Sequence, residues 1–326
     1  MALASILRRS HIILDITHAV RKVANLSYKI FGESDVDPDS PPIFLFHGLL
    51  GTKKHWESFG KTMMNMTQRI VVAVDLRNHG DSPHVNSHKY DDMAGDILKL
   101  FSKLSIEKAS VVGHGMGGRA SMYVSLMAEW ANEQIIYFWF GKTPFVKGLC
   151  TLKSTNKKPE KISALLVVDI SPVSTCVDLR EQFPKIMSMM KEFSFKEQKK
   201  VKIAQREVKK KLKTLISDEI LLKAILSNVT IRSTGIIGWS CNLDVLIKEF
   251  KHIITFPRLK NKIYYGPTLF IGGQLSDYLP PDDLTAIRDM FPRAVITYIP
   301  HTGHSLYADD PKSFLEVAIA FLKTND

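Results

Sequence analysis

Short, uninterrupted apolar runs recur along the chain, and each stops at a charged or turn-forming residue. Ile43-Phe44-Leu45-Phe46 leads into His47-Gly48, Ile70-Val71-Val72-Ala73-Val74 ends at Asp75, and Leu165-Leu166-Val167-Val168 ends at Asp169. Ala294-Val295-Ile296-Thr297-Tyr298-Ile299 runs into Pro300. Apolar runs of this length predict strands, and those at Ile43–Phe46 and Ile70–Val74 are of the type buried on both faces. Between them, helical spacing of apolar positions predicts helices over Tyr90–Leu104, Gly117–Ala128, Leu284–Met290 and Pro311–Leu322. Pro311 suits a first helical turn, where its missing N–H costs nothing. Buried strands alternating with helices predict an α/β fold with a mainly parallel sheet flanked by helices.

Two stretches break the alternation. From Val173 to about Arg258 the pattern turns mostly helical, which predicts a helical cap over 173–258. Within it Val201, Val208, Leu212 and Ile216 fall on one helical face, leaving the lysines of 196–213 outside. The second stretch, 129–158, holds the aromatic run Tyr137-Phe138-Trp139-Phe140 and reads as an atypical insertion. Joining Ala128 directly to Pro159 would restore a compact helix-to-strand link.

The stretch Gly113-His114-Gly115-Met116-Gly117-Gly118 changes the picture from fold to chemistry. It has the form of a nucleophile elbow, G-x-S-x-G, with glycine where the serine belongs. The same residues satisfy G-x-G-x-x-G, the dinucleotide fingerprint, but here two strand-helix units come first. The position about 20 residues on, Glu133, follows a helical run rather than a strand. His47-Gly48-Leu49 after an early strand supplies a first oxyanion donor, the Leu49 N–H, with the Met116 N–H as its partner. A histidine on a glycine-flanked loop after the last strand is the expected general base. His304 is preferred to His301 for that place. His79, in a turn rich in structure-breaking residues, is expected to shape its loop rather than react.

As a set, His47-Gly48-Leu49-Leu50-Gly51, Asp75 to Pro83, Gly113 to Gly118, Val168 to Val173, Gly266-Pro267-Thr268 and Gly303-His304 resemble the alpha/beta hydrolase domain-containing protein 11 family. The resemblance runs from about Ile43 to the C-terminus. It implies an alpha/beta-hydrolase fold with a helical cap, occupying 37–326. It also implies an esterase or lipase activity of the sn-1-specific diacylglycerol lipase type, acting on acyl ester or lipid substrates. The family's serine would stand at Gly115, and its absence bears on activity rather than fold. By the same resemblance the acid partner of His304 has three candidates. Asp169 matches an acid that acts with a serine, here Ser276, in bacterial esterases. Asp277 stands where the commonest form of the fold places its acid, and Asp244 matches a position assigned to the triad in the animal family. The expected function is an ester hydrolase made inactive or impaired by Gly115, with a non-catalytic acyl-ligand or protein-binding protein as the alternative.

Composition adds bounds. The chain has 326 residues, 45% hydrophobic, enough for one large core. Its three cysteines define no disulfide framework, and no spacing of Cys, His, Asp and Glu suggests a metal; no cofactor is expected. The formal net charge is +11, much of it in the cap. A basic face on a lipid hydrolase suggests peripheral contact with an anionic membrane, against the plainer reading of a solvated helix face. Nucleic acid is not expected, because the basic run lacks a stacking platform. Residues 1–36 open basic, apolar and acid-free as far as Asp15, the character of a mitochondrial leader. A matrix location is therefore expected, with a cytoplasmic one as the alternative.

Overall fold

Ile43–Phe46 (β2) and Val71–Val74 (β3) are buried along their whole length, and alternate residues serve opposite sides of one sheet. Phe44, Phe46, Val72 and Val74 enter one core, whereas Ile43, Leu45, Val71 and Ala73 enter the other. That division follows from the two-residue period of a strand. The computed structural model describes residues 23–32, 36–37, 39–128 and 161–325.

Among the described residues the sheet has seven strands in the order β1-β3-β2-β4-β5-β8-β9. The others are β1 (Tyr28–Phe31), β4 (Ala109–His114), β5 (Ile162–Val168), β8 (Thr268–Gly273) and β9 (Ala294–Ile299). All pairings are parallel except β1 against β3. On one face lie α2 (Tyr90–Lys103) and α3 (Met116–Ala128), which put Met93, Ile97, Leu100 and Ala120 into the core. On the other lie α1 (Glu57–Thr67) and α11 (Pro311–Thr324), which contribute Phe59, Met63, Phe314, Ala318 and Leu322. Because these strands are parallel, the loops leaving the carboxyl ends of β2, β3, β4, β5, β8 and β9 gather along one edge, and the strand order reverses about β2. In open α/β sheets that edge is where ligands bind.

The cap comprises α4 (Val177–Glu192), α5 (Val201–Leu212), α6 (Glu219–Leu226), α7 (Leu243–Lys248) and α8 (Phe250–Ile254). It also contains a two-stranded hairpin, β6 (Val229–Ile231) with β7 (Ile237–Trp239), which the helical pattern did not foretell. Trp239 closes the hairpin onto α4 by donating its indole N–H to the Met190 carbonyl at 2.9 Å. Val208 and Leu212 of α5 are buried as expected, and Ile216 is buried just beyond the helix.

The expected boundary of the leader needs correction. Within 1–36, Ala24 and Leu26 are core residues and β1 is an edge strand of the sheet. The Ala24 N–H also donates to the buried Asp96 carboxylate at 2.7 Å. Burial of these groups makes the stretch from Val23 part of the domain. Residues 1–22 of the leader and the whole 129–158 insertion lie outside the described residues.

Candidate active site

The turn from β4 into α3 is tight enough to demand glycine. A Cβ on Gly113 would stand 2.2 Å from the Gly117 carbonyl oxygen, and one on Gly117 would stand 2.5 Å from that of Phe46. Gly115 sits between them at φ +52°, a left-handed conformation that side chains other than glycine adopt at a cost. Its N–H donates to the Val168 carbonyl at 3.0 Å, pinning the elbow to the end of β5. A Cβ on Gly115 would meet no backbone closely. Its nearest neighbours would be His304 Nε2 at 3.5 Å, His304 Cε1 at 3.6 Å and Gly48 Cα at 3.8 Å. The elbow is therefore built, and at its tip a Cβ would stand in ordinary contact with His304. The elbow follows the fourth strand of the sheet, not the opening strand-helix unit that a dinucleotide site requires.

His304 reaches this point from the loop after β9. Its Nδ1–H donates to Asp169 Oδ2 at 2.8 Å, across 135 residues of chain. Asp169 follows β5 and is fully buried, in a left-handed conformation at φ +49°. Its Oδ1 accepts the Gly273 N–H at 2.9 Å and its Oδ2 accepts the Ser276 hydroxyl at 2.5 Å. The structure thus brings His304, Asp169, Ser276 and Gly115 together. It places Asp277 and Asp244 elsewhere. Asp277 is exposed, and Asp244 is 77% exposed on α7, paired with Lys191 at 2.7 Å. His301 is exposed too.

Two residues that sequence reading passed over fix the His304 ring. Tyr278 stacks on it with centroids 3.7 Å apart and planes 19° apart. His114 donates its Nε2–H to the His304 carbonyl at 3.0 Å. Their positions, two residues after Ser276 and inside the elbow, were the only signals available.

Met116 is the first residue of α3, where a backbone N–H has no acceptor within the helix. Met116 and Leu49 line the same cleft as Gly115 and His304. The Leu49 loop is shaped by histidines. His79 Nε2 accepts the Leu50 N–H at 3.2 Å, and His47 Nε2 accepts the Leu76 N–H at 3.0 Å. His79 thus does what a loop-shaping residue does. The cleft is narrow, with a cavity volume of about 50 Å³. Its far wall is apolar and belongs to the cap: Leu179 and Phe183 from α4, Leu221 and Ala224 from α6, Ile253 from α8. Arg119, one turn along α3, ties that wall down. Its guanidinium donates to the carbonyls of Ser171, Ser174, Ile253 and Ile254 and to the Thr175 hydroxyl, at 2.6–3.3 Å.

Burial keeps the supporting histidines neutral. Desolvation pushes His47 and His79 down to about 3 and His55 down to about 4. In the unfolded chain each returns to about 6.5 and binds protons that the folded form refuses. Their contribution is complete above that value and is lost as pH falls below it, at up to about 1.4 kcal/mol per pH unit for each histidine. The melting temperature should therefore drop steeply between about pH 6.5 and pH 4.5. Thermal melts across that range check this, and a flat profile would refute it.

A profile described as alpha/beta hydrolase fold matches residues 41–135. The zebrafish (Danio rerio) sn-1-specific diacylglycerol lipase ABHD11 is 32% identical over 92% of this chain and 83% of its own length. The mouse (Mus musculus) protein of the same name is 31% identical over 91% of this chain and 85% of its own. Among solved structures, a marine microorganism esterase superposes with a TM-score of 0.74 at 26% identity, covering 91% of this chain and 99% of that one.

Proposed function

This chain belongs to the ABHD11 family of α/β-hydrolases, a family of lipid ester hydrolases, and on that premise we propose that it retains the ester site of its relatives without their covalent chemistry. His304 is the general base, Asp169 its acid partner with Ser276 in support, and the Leu49 and Met116 N–H groups are the oxyanion donors. The ligand is an acyl ester of the acylglycerol class, with its acyl chain along the apolar cap wall. No acyl-enzyme forms, because position 115 offers no hydroxyl. Loss of the nucleophile from a triad costs on the order of 10⁶ in kcat, so activity toward ordinary esters is abolished or severely impaired.

The observation that carries this reading is Gly115 at the elbow, its Cβ position 3.5 Å from His304 Nε2. The test is a fluorophosphonate probe with intact-mass readout. The protein should remain unmodified under conditions that saturate an active serine hydrolase. A stoichiometric adduct would overturn the assignment. A second reading, a non-catalytic acyl-binding protein, draws on the intact apolar wall of the cleft.

We further propose that the cap meets an anionic membrane through α5. Lys209 and Lys213 are engaged by Glu219 at 2.9 and 2.7 Å, while Lys202, Lys210 and Lys211 are exposed, as is Ile203 of the same helix at 42%. Exposed cations and an exposed apolar side chain on one helix suit a phosphatidylserine surface. Co-sedimentation with phosphatidylserine vesicles should exceed that with phosphatidylcholine. It should fall with salt and with K202E/K210E/K211E. Equal binding to both lipids would count against the proposal.

A further inference from the structure

The missing side chain leaves His304 with nothing of the protein's own to deprotonate, yet every group that makes it a base is in place. Its Nδ1 carries the proton donated to Asp169 Oδ2 at 2.8 Å, so Nε2 carries the lone pair. That nitrogen faces Gly115, where a Cβ would lie 3.5 Å from it in ordinary contact. Without that side chain the place beside Nε2 belongs to the cleft that Leu49 and Met116 also line. Stacking on Tyr278 at 3.7 Å and the His114 bond to the His304 carbonyl at 3.0 Å hold the ring, and the buried Asp169 carboxylate stabilises an imidazolium. Such preorganisation is what general-base catalysis requires.

Resting on the reading that no serine attacks here, we propose that the site hydrolyses activated acyl esters directly, with water as nucleophile and no acyl-enzyme. Water between Gly115 and Nε2 attacks the acyl carbon and yields one proton to His304 as the new C–O bond forms. The carbonyl electron pair moves to the oxygen held by the Leu49 and Met116 N–H groups. When that oxyanion collapses, the bond to the leaving group breaks, and the imidazolium returns its proton to the departing atom. The products are a carboxylic acid and a thiol, phenol or alcohol.

The direct route sets the substrate class. Water is a weaker nucleophile than a serine activated in a triad, and the oxyanion it forms can expel water again as well as the leaving group. A group that departs without full protonation is then strongly favoured. Thiols ionise near about 8.5 and phenols near about 10, far more readily than aliphatic alcohols. The favoured substrates are therefore acyl thioesters and aryl esters, ahead of the acylglycerols of the serine-bearing relatives. Leu179, Phe183, Leu221 and Ile253 receive the acyl chain.

The experiment uses the full chain with a short-chain acyl thioester and a p-nitrophenyl ester. Turnover should be linear from the first cycle, without a burst, and acid-quenched protein should carry no acyl adduct. His304→Ala should lower the rate roughly 100-fold, the lower end of general-base contributions. Gly115→Ala adds no chemistry but fills the place beside Nε2, and should lower the rate about tenfold or more; a melt confirms that it is folded. If Gly115→Ala does not fold, His304→Gln takes its place and should match His304→Ala. Thioester turnover no greater than that of His304→Ala overturns the proposal. A parallel Gly115→Ser sample then tells whether the base and oxyanion donors work. An acyl or fluorophosphonate adduct on the unmodified chain would instead overturn the reading beneath it.

Discussion

Gly115→Ser is expected to create a fluorophosphonate-reactive serine hydrolase from a chain that the probe leaves untouched. A Cβ at 115 stands 3.5 Å from His304 Nε2 and clears its other neighbours by ordinary contact distances. A hydroxyl one bond further on falls within hydrogen-bond reach of the Nε2 lone pair. The base is already oriented by Asp169, and the oxyanion donors are supplied by backbone that does not depend on residue 115. Hydrolysis of short-chain alkyl esters should rise by a factor on the order of 10⁴–10⁶, the span between a triad lacking its nucleophile and a complete one. The change also carries a conformational cost. A serine at φ +52° is strained where glycine is not, so stability should fall by roughly 1 kcal/mol. Ester assays, probe labelling and a melt measure all three effects, and His304→Ala in the same background should erase the gain. A folded Gly115→Ser protein without ester hydrolysis would favour the acyl-binding reading.

In that restored background, Asp169→Asn should remove most of what the serine adds, by a factor on the order of 10⁴ as for a triad acid made into an amide. The Gly273 N–H donates to Oδ1 at 2.9 Å and would hold the amide oxygen there, turning the new NH₂ toward Ser276 and His304. An NH₂ facing Nδ1 selects the tautomer with the proton on Nε2, and the lone pair no longer faces residue 115. The isosteric change should leave the fold intact, which circular dichroism can check. Asp277→Asn and Asp244→Asn should stay within a few-fold of the parent, because neither carboxylate meets His304. A large loss at either of them, or retention of activity in Asp169→Asn, would move the acid role away from Asp169.

Much of this molecule is legible in its residue pattern. An unbroken apolar run is satisfied by a strand covered on both faces, which is why Ile43–Phe46 and Val71–Val74 lie where the pattern puts them; Ala294–Ile299 is the expected strand too, but it lies at the sheet edge with Val295 exposed. The elbow is legible as well. Glycines at 113 and 117 answer a steric demand between adjacent elements, and the absence of serine at 115 is a fact of sequence. The late histidine on its glycine-flanked loop belongs to the same class of local signal.

Other features only the tertiary structure decided. Tyr28–Phe31 is too short and too mixed to announce a strand, and becomes one by pairing with β3 at the sheet edge. The hairpin β6–β7 exists because Trp239 docks on α4. Asp169 follows a strand end, Asp277 lies in a loop and Asp244 in a helix's first turn, and no local rule separates them. Parallel packing of β5 beside β8, and of β8 beside β9, carries Asp169 to within 2.8 Å of His304 while Asp244 stays with Lys191 at the surface. Local periodicity determines which way a side chain points. The distance between groups on different elements is a property of long-range packing, and chemistry depends on that distance.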